Sequence, residues 1–152
     1  MSSKVRYMET KQQLLDTVEA LLDINPNSDI VISGIWAKAL HENMITLIIE
    51  KKRCSSCKVI IPKLLFKGDI SLTLLRNICK ADGQVRVNNS LTNNLLLIDG
   101  HAFILSFSSR LNSLNMLNTN FECAVMTDDE EIVTGLKSQL NNIFENSVLF
   151  RM

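Results

Sequence analysis

Short apolar runs alternate with segments of helical period along the first half of the chain, and that alternation constrains the fold more than any motif does. Thr10 to Ile24 places Leu14, Leu15, Val18, Leu21 and Leu22 at three- and four-residue spacing, with charged and amide side chains between them. Asn25-Pro26-Asn27-Ser28 stops that helix, because Pro26 disfavours helical backbone at Asn25. Asp29 to Ile35 is a β-branched run long enough for one buried strand. Trp36 to Lys51 returns to helical spacing through Leu40, Met44, Leu47 and Ile48, and Lys58 to Pro62 reads as a second buried strand. A third helix is expected over Ile70 to Lys80, then a turn at Asp82-Gly83 and a short strand over Gln84 to Val87. Helices between strands imply right-handed parallel crossovers.

The second half reads differently. Asn93 to Ile98 and Ala102 to Phe107 are apolar runs separated by Asp99-Gly100-His101, a hairpin signal, since Asp-Gly tolerates the positive φ of tight turns. Phe121 to Met126 is a further strand. Asp128 to Asn146 is the last helix, its acidic first turn matched to the helix dipole. The order α-β-α-β-α-β-β-β-β-α predicts an α/β sandwich with a mixed sheet, built as a single domain over 1–152 with its core at about 10–146.

Composition narrows the function. Sixteen Lys and Arg balance sixteen Asp and Glu, and aromatics are 5%. A domain that grips nucleic acid through backbone charge or base stacking is therefore not expected. No run approaches the roughly 18 to 20 apolar residues of a membrane span, and the polar start shows no secretory signal. The expectation is a cytoplasmic protein with reduced cysteines.

Among possible chemistries, Cys54-Ser55-Ser56-Cys57 is the most conspicuous local pattern. A redox pair wants its first cysteine at a helix N-terminus, and this one follows a helix. A zinc site needs about four ligands, and neither a second CxxC nor a histidine pair completes one. Cys54 and Cys57 are accordingly expected in a surface connection, with a zinc or redox module as an alternative. The histidines, His41 on a helix and His101 in a turn, lie in no nucleophile-elbow context, and no glycine-rich phosphate loop is present. Asp128-Asp129-Glu130-Glu131 reads as a solvated helix start.

The stretch from Thr92 to Glu122 carries an extended pattern: strand, Asp99-Gly100, strand, Ser106-Phe107-Ser108-Ser109, an Asn-rich loop, then Asn120-Phe121-Glu122 opening a strand. It resembles the phospholipase D-like superfamily, whose motif runs His-x-Lys, four residues, Asp, six residues, Gly-Ser-x-Asn, with a later Asn-x-Glu. On that spacing Asp99 takes the Asp position, and Asn120 and Glu122 match the later element. The nucleophilic histidine is replaced by Thr92, the phosphate-holding lysine by Asn94, and Gly-Ser-x-Asn by Ser106 to Ser109. A hydroxyl and an amide supply neither a strong neutral nucleophile nor positive charge. The resemblance therefore implies a pseudoenzyme, with no cofactor or metal.

Non-catalytic domains of this kind form the effector or dimerisation part of archaeal TrmB-type transcription regulators. The chain looks like such a domain, an excised or stand-alone one, with DNA reached only through a separate winged-helix domain. The resemblance further implies a homodimer, because two motif copies face each other in the family. Thr92, Asn94, Asp99, Ser106, Ser108, Ser109 and Glu122 are then expected to converge near the two-fold axis, lining a site for a small polar effector or closing the interface. A phosphodiesterase or nuclease with altered residues is the alternative.

Overall fold

The computed structural model describes residues 4–25, 27–62, 69–111 and 117–150, with the backbone alone described at 69–71, 109–111 and 117–119. Its strands are β1 (Val5–Met8), β2 (Ile30–Gly34), β3 (Cys57–Ile61), β4 (Gln84–Val87), β5 (Asn94–Ile98), β6 (His101–Leu111), β7 (Leu117–Thr127) and β8 (Val148–Leu149). Its helices are α1 (Lys11–Ile24), α2 (Lys38–Glu50), α3 (Asp69–Lys80) and α4 (Glu130–Glu145). All eight strands join one sheet in the order β1-β7-β6-β5-β2-β3-β4-β8. The expected mixed α/β sheet is what forms. β2, β3 and β4 run parallel, linked through α2 and α3, while β5 lies antiparallel to β2 and begins the meander β5-β6-β7.

Both faces of the central strands are buried, so β2 and β5 read as continuous apolar runs rather than alternating ones. On one face α1, α2 and α3 pack Leu14, Val18, Met44, Ile48 and Ile78 against Ile32, Val59, Leu96 and Phe103. On the other face α4 is the helix that supplies cover among the described residues, with Leu140 over Val31, Leu95 and Leu97, and Phe144 over Ile60. Local signals set the helix starts. Thr10 Oγ1 accepts from Gln13 N at 3.1 Å and Gln13 Oε1 accepts from Thr10 N, a reciprocal cap. Asp129 Oδ1 accepts from Ile132 N at 3.0 Å and opens α4. Asp99 and Gly100 adopt φ of 43° and 74°, the positive pair that a two-residue hairpin turn requires.

Three expectations need correction. The sheet gains edge strands β1 and β8, which pair with β7 and β4. The strand expected over Ala102 to Phe107 runs on to Leu111: β6 and β7 are 11 residues each and pair through Leu111↔Leu117. Cys54 and Cys57 are not on the surface. Cys54 is the buried first residue of a 3-10 turn and Cys57 opens β3 beneath the helices, both inside the main core. Burial pushes both thiols up, Cys57 further because it is the more deeply buried, with Cys54 beside it adding to the rise. They are poor thiolates. Among the described residues no group of three or more His, Cys, Asp or Glu is placed to hold a metal. No described helix is long and apolar enough to cross a membrane.

Candidate functional site

The parallel strands end at Gly34 and Ile61, and β5 starts beside the first of these, with Asn94 paired to Gly34. In open α/β sheets the carboxyl ends of such strands are the usual place for a ligand. Gly34 has φ of +123°, and a Cβ built on it would stand 2.0 Å from the Asn93 carbonyl oxygen and 2.6 Å from Asn94 Oδ1. Only glycine lets the two segments approach so closely. Beneath this contact, buried Ser33 donates from Oγ to Asn93 Oδ1 at 2.8 Å. Asn94 Oδ1 is itself buried and finds no partner among the described residues. Thr92 stands one residue before this pair and is exposed.

β6 returns to the same end, where its pairing with β7 shifts register between Ser106 and Phe107. Ser106 faces Cys123 and Phe107 faces Phe121, so Glu122 is the extra residue of a bulge. The bulge lets Ser106 Oγ donate to Glu122 Oε1 at 3.0 Å on the exposed surface. Ser108 is half-buried and faces Asn120 across the ribbon. The Ser109 side chain lies outside the described residues.

Asp99 is elsewhere. It caps the opposite end of the sheet, separated from Asn94 by the whole of β5, or about 16 Å at ~3.3 Å per residue. There it accepts from Asn25 Nδ2 at 3.4 Å and lines a cleft of about 280 Å³ with Asn27, Asp29, Val133 and Lys137. The expected convergence of Asp99 with the other six positions therefore does not occur, because a hairpin turn and the strand start feeding it lie at opposite ends of an extended segment. His101 stays at the Asp99 end, its Nδ1 at 2.9 Å from the Asp99 main-chain oxygen.

Residues not singled out from the sequence complete the strand-end site. Trp36 is buried and donates from Nε1 to the Ser33 carbonyl at 3.0 Å. Its ring meets His41 edge-on at 5.9 Å and Phe107 at 6.2 Å, and Phe107 in turn meets Phe121 at 6.1 Å. Leu40, Met44, Ile45 and Ile48 form the inner face of α2, and His41 belongs to the same stripe, so helical spacing carried the signal for its burial. His41 is 4% exposed, its Nε2 has no partner among the described residues, and burial lowers its pKa from 6.5 to about 4. It is a neutral imidazole inside the core. It cannot reach a substrate.

That burial has a measurable consequence. Between pH 6.5 and pH 4 the unfolded chain takes up a proton at His41 that the folded chain refuses. Stability present above pH 6.5 is thus lost as pH falls toward 4, by about 3 kcal/mol in all. Chemical denaturation across this window is expected to show the loss in the wild type and a shallower dependence in His41→Leu. Equal slopes for the two proteins would contradict the assignment.

No family model and no curated protein matches the sequence. Solved structures do resemble the fold. TrmBL2, an archaeal chromatin protein, is 16% identical with a TM-score of 0.70 over 97% of this chain. The chain spans about half of TrmBL2, 54% of its length. Nuc from Salmonella typhimurium, a phospholipase D family member, is 14% identical with a TM-score of 0.67, covering 99% of this chain and 100% of its own. NucT from Helicobacter pylori is 17% identical with a TM-score of 0.63, covering 98% and 100%. The mixed eight-stranded sheet and its four helices thus have the phospholipase D-like fold.

Proposed function

We propose that this chain is a non-catalytic regulatory domain of a transcription regulator, acting by dimerisation or by sensing a small polar effector. The observation that carries the reading is the chemistry at the carboxyl ends of the strands. Thr92, Asn94, Ser106 and Ser108 offer hydroxyls and an amide there, Glu122 adds a negative charge, and the nearby histidine, His41, is sealed in the core. Attack on a phosphodiester needs an accessible nucleophile and positive charge around the anionic oxygens. Among the described residues at this end these side chains are hydrogen-bonding groups without that charge, which suit a neutral polar ligand or a closed protein contact. TrmBL2, which shares this fold over about half of its length, is a chromatin protein that binds DNA, in keeping with a chain that works in transcription.

Purified protein is expected to give no hydrolysis of bis-p-nitrophenyl phosphate above background, with or without added divalent cations. One observation favours the alternative of a phosphodiesterase with altered residues: Nuc, a phospholipase D family member, is matched over its full length. Turnover that disappears in Glu122→Gln would establish that alternative and displace the regulatory reading.

A further inference from the structure

We propose that the cleft where β2 begins and β5 ends binds a small organic cation, a primary ammonium carried on a short apolar body. This cleft lies at the opposite end of the sheet from the strand-end site, and its ligand does not depend on the regulatory reading. Its volume of about 280 Å³ is close to the roughly 300 Å³ at which small-molecule pockets begin, so the ligand is small. The segment between α1 and β2, the two strands themselves, the turn after β5 and α4 wall it.

Strand register brings two carboxylates together there. β2 and β5 pair antiparallel through Val31↔Leu97 and Ile30↔Ile98, and one further step along both strands sets Asp29 beside Asp99. Both residues line the cleft, next to the buried pair Val31 and Leu97. Like charges at facing positions of a strand pair repel, and a cation between them removes the penalty. The chain meets that need only in part. Lys137 Nζ stands 3.8 Å from Asp29 Oδ2, a loose pair whose side chains are both more than half exposed. Asp99 Oδ1 receives an amide hydrogen bond from Asn25 Nδ2 at the long distance of 3.4 Å. The buried cation Arg53 is committed to the Leu22 and Ser28 carbonyls.

An independent observation points to the same ligand chemistry. Ser28 lines the cleft and is 8% exposed, and its Oγ finds no hydrogen-bond partner among the described residues. Buried hydroxyls are ordinarily paired. An ammonium has three donors and no acceptor, which matches a hydroxyl oxygen flanked by two carboxylates. The apolar wall of Val31, Leu97 and Val133 takes the rest of an amphipathic amine. An anion would be repelled by Asp29 and Asp99, and a neutral molecule would leave their repulsion in place. Lys137 then competes with the ligand for Asp29, which makes its removal informative.

Titration of the isotope-labelled full chain with isopentylamine, followed by amide chemical shifts, tests the proposal. Saturable shifts are expected around Ser28, Asp99 and Val133 at millimolar concentration, as suits so small a ligand. Isopentanol and isovalerate, which share the apolar body but are neutral and anionic, are expected to bind at least about tenfold more weakly. Asp99→Asn keeps the turn, because asparagine tolerates the same positive φ, and should weaken the amine at least about tenfold. Asp29→Asn, at an exposed position, should weaken it in the same direction, whereas Lys137→Gln should tighten it. Leucine, the same amine with an added carboxylate, should bind no better than isopentylamine. Absence of saturable shifts at this end, an alcohol that binds as well as the amine, or an Asp99→Asn chain that binds like the wild type would overturn the proposal. A preference for leucine together with weaker binding in Lys137→Gln would also overturn it, in favour of a zwitterion.

Discussion

Gly34→Ala is expected to abolish accumulation of folded protein. The new methyl would sit 2.0 Å from the Asn93 carbonyl oxygen, in backbone with φ of +123° that a side chain rarely adopts. Neither neighbour can yield cheaply, since Asn93 is held by Ser33 and Asn94 is locked in the β2–β5 ladder. Clash and strain together should exceed about 4 kcal/mol, a large share of the stability of a domain this size. Soluble yield and far-ultraviolet dichroism will decide it. A Gly34→Ala protein melting with the wild type would mean that the close approach is not as described.

Arg53→Met is expected to cost roughly 2 to 5 kcal/mol and lower the melting temperature by on the order of 10 °C. Arg53 is a buried cation whose guanidinium donates from Nη1 to the Leu22 carbonyl at 2.8 Å and from Nη2 to the Ser28 carbonyl at 2.6 Å. It ties the last turn of α1 to the segment entering β2, and its charge lies where the helix dipole favours a cation. Methionine fills much of the volume but leaves both carbonyls buried without donors. Lysine keeps the charge but not the fork, so Arg53→Lys should fall between the two in a denaturant titration. A methionine variant as stable as the wild type would remove this strap from the account of the fold.

How legible these features were depends on where the physics resides. Helices with a one-sided apolar stripe were readable because burial imposes the period, and the same stripe in α2 held the information that His41 is inside. The Asp99-Gly100 turn was readable because its constraint is local to two residues. β1 was not, because Val5 to Met8 becomes a strand only through β7, more than a hundred residues away. The serine-rich end of β6 was missed for a related reason. Its strand character comes from pairing with β7, against the polar composition of the segment itself. Family spacing carried Thr92, Asn94, Ser106, Ser108 and Glu122 to one end of the sheet, and it could not show that Asp99 belongs to the other. Cys54 looked like a surface residue since a polar, charged run precedes it. Only the packing of α3 against that turn reveals otherwise.

The placement of β5 also bears on the sequence of events as the polypeptide leaves the ribosome. β2, β3 and β4 are synthesised first and can pair with one another, yet the free flank of β2 must wait some sixty residues for β5 to arrive. Until then a strand of Ile30, Val31 and Ile32 offers unsatisfied amides to any similar neighbour. Crowded translation should therefore penalise this chain at that stage. A pause once Val87 has left the ribosome is expected to raise aggregation, whereas a pause once Ile98 has left it is not.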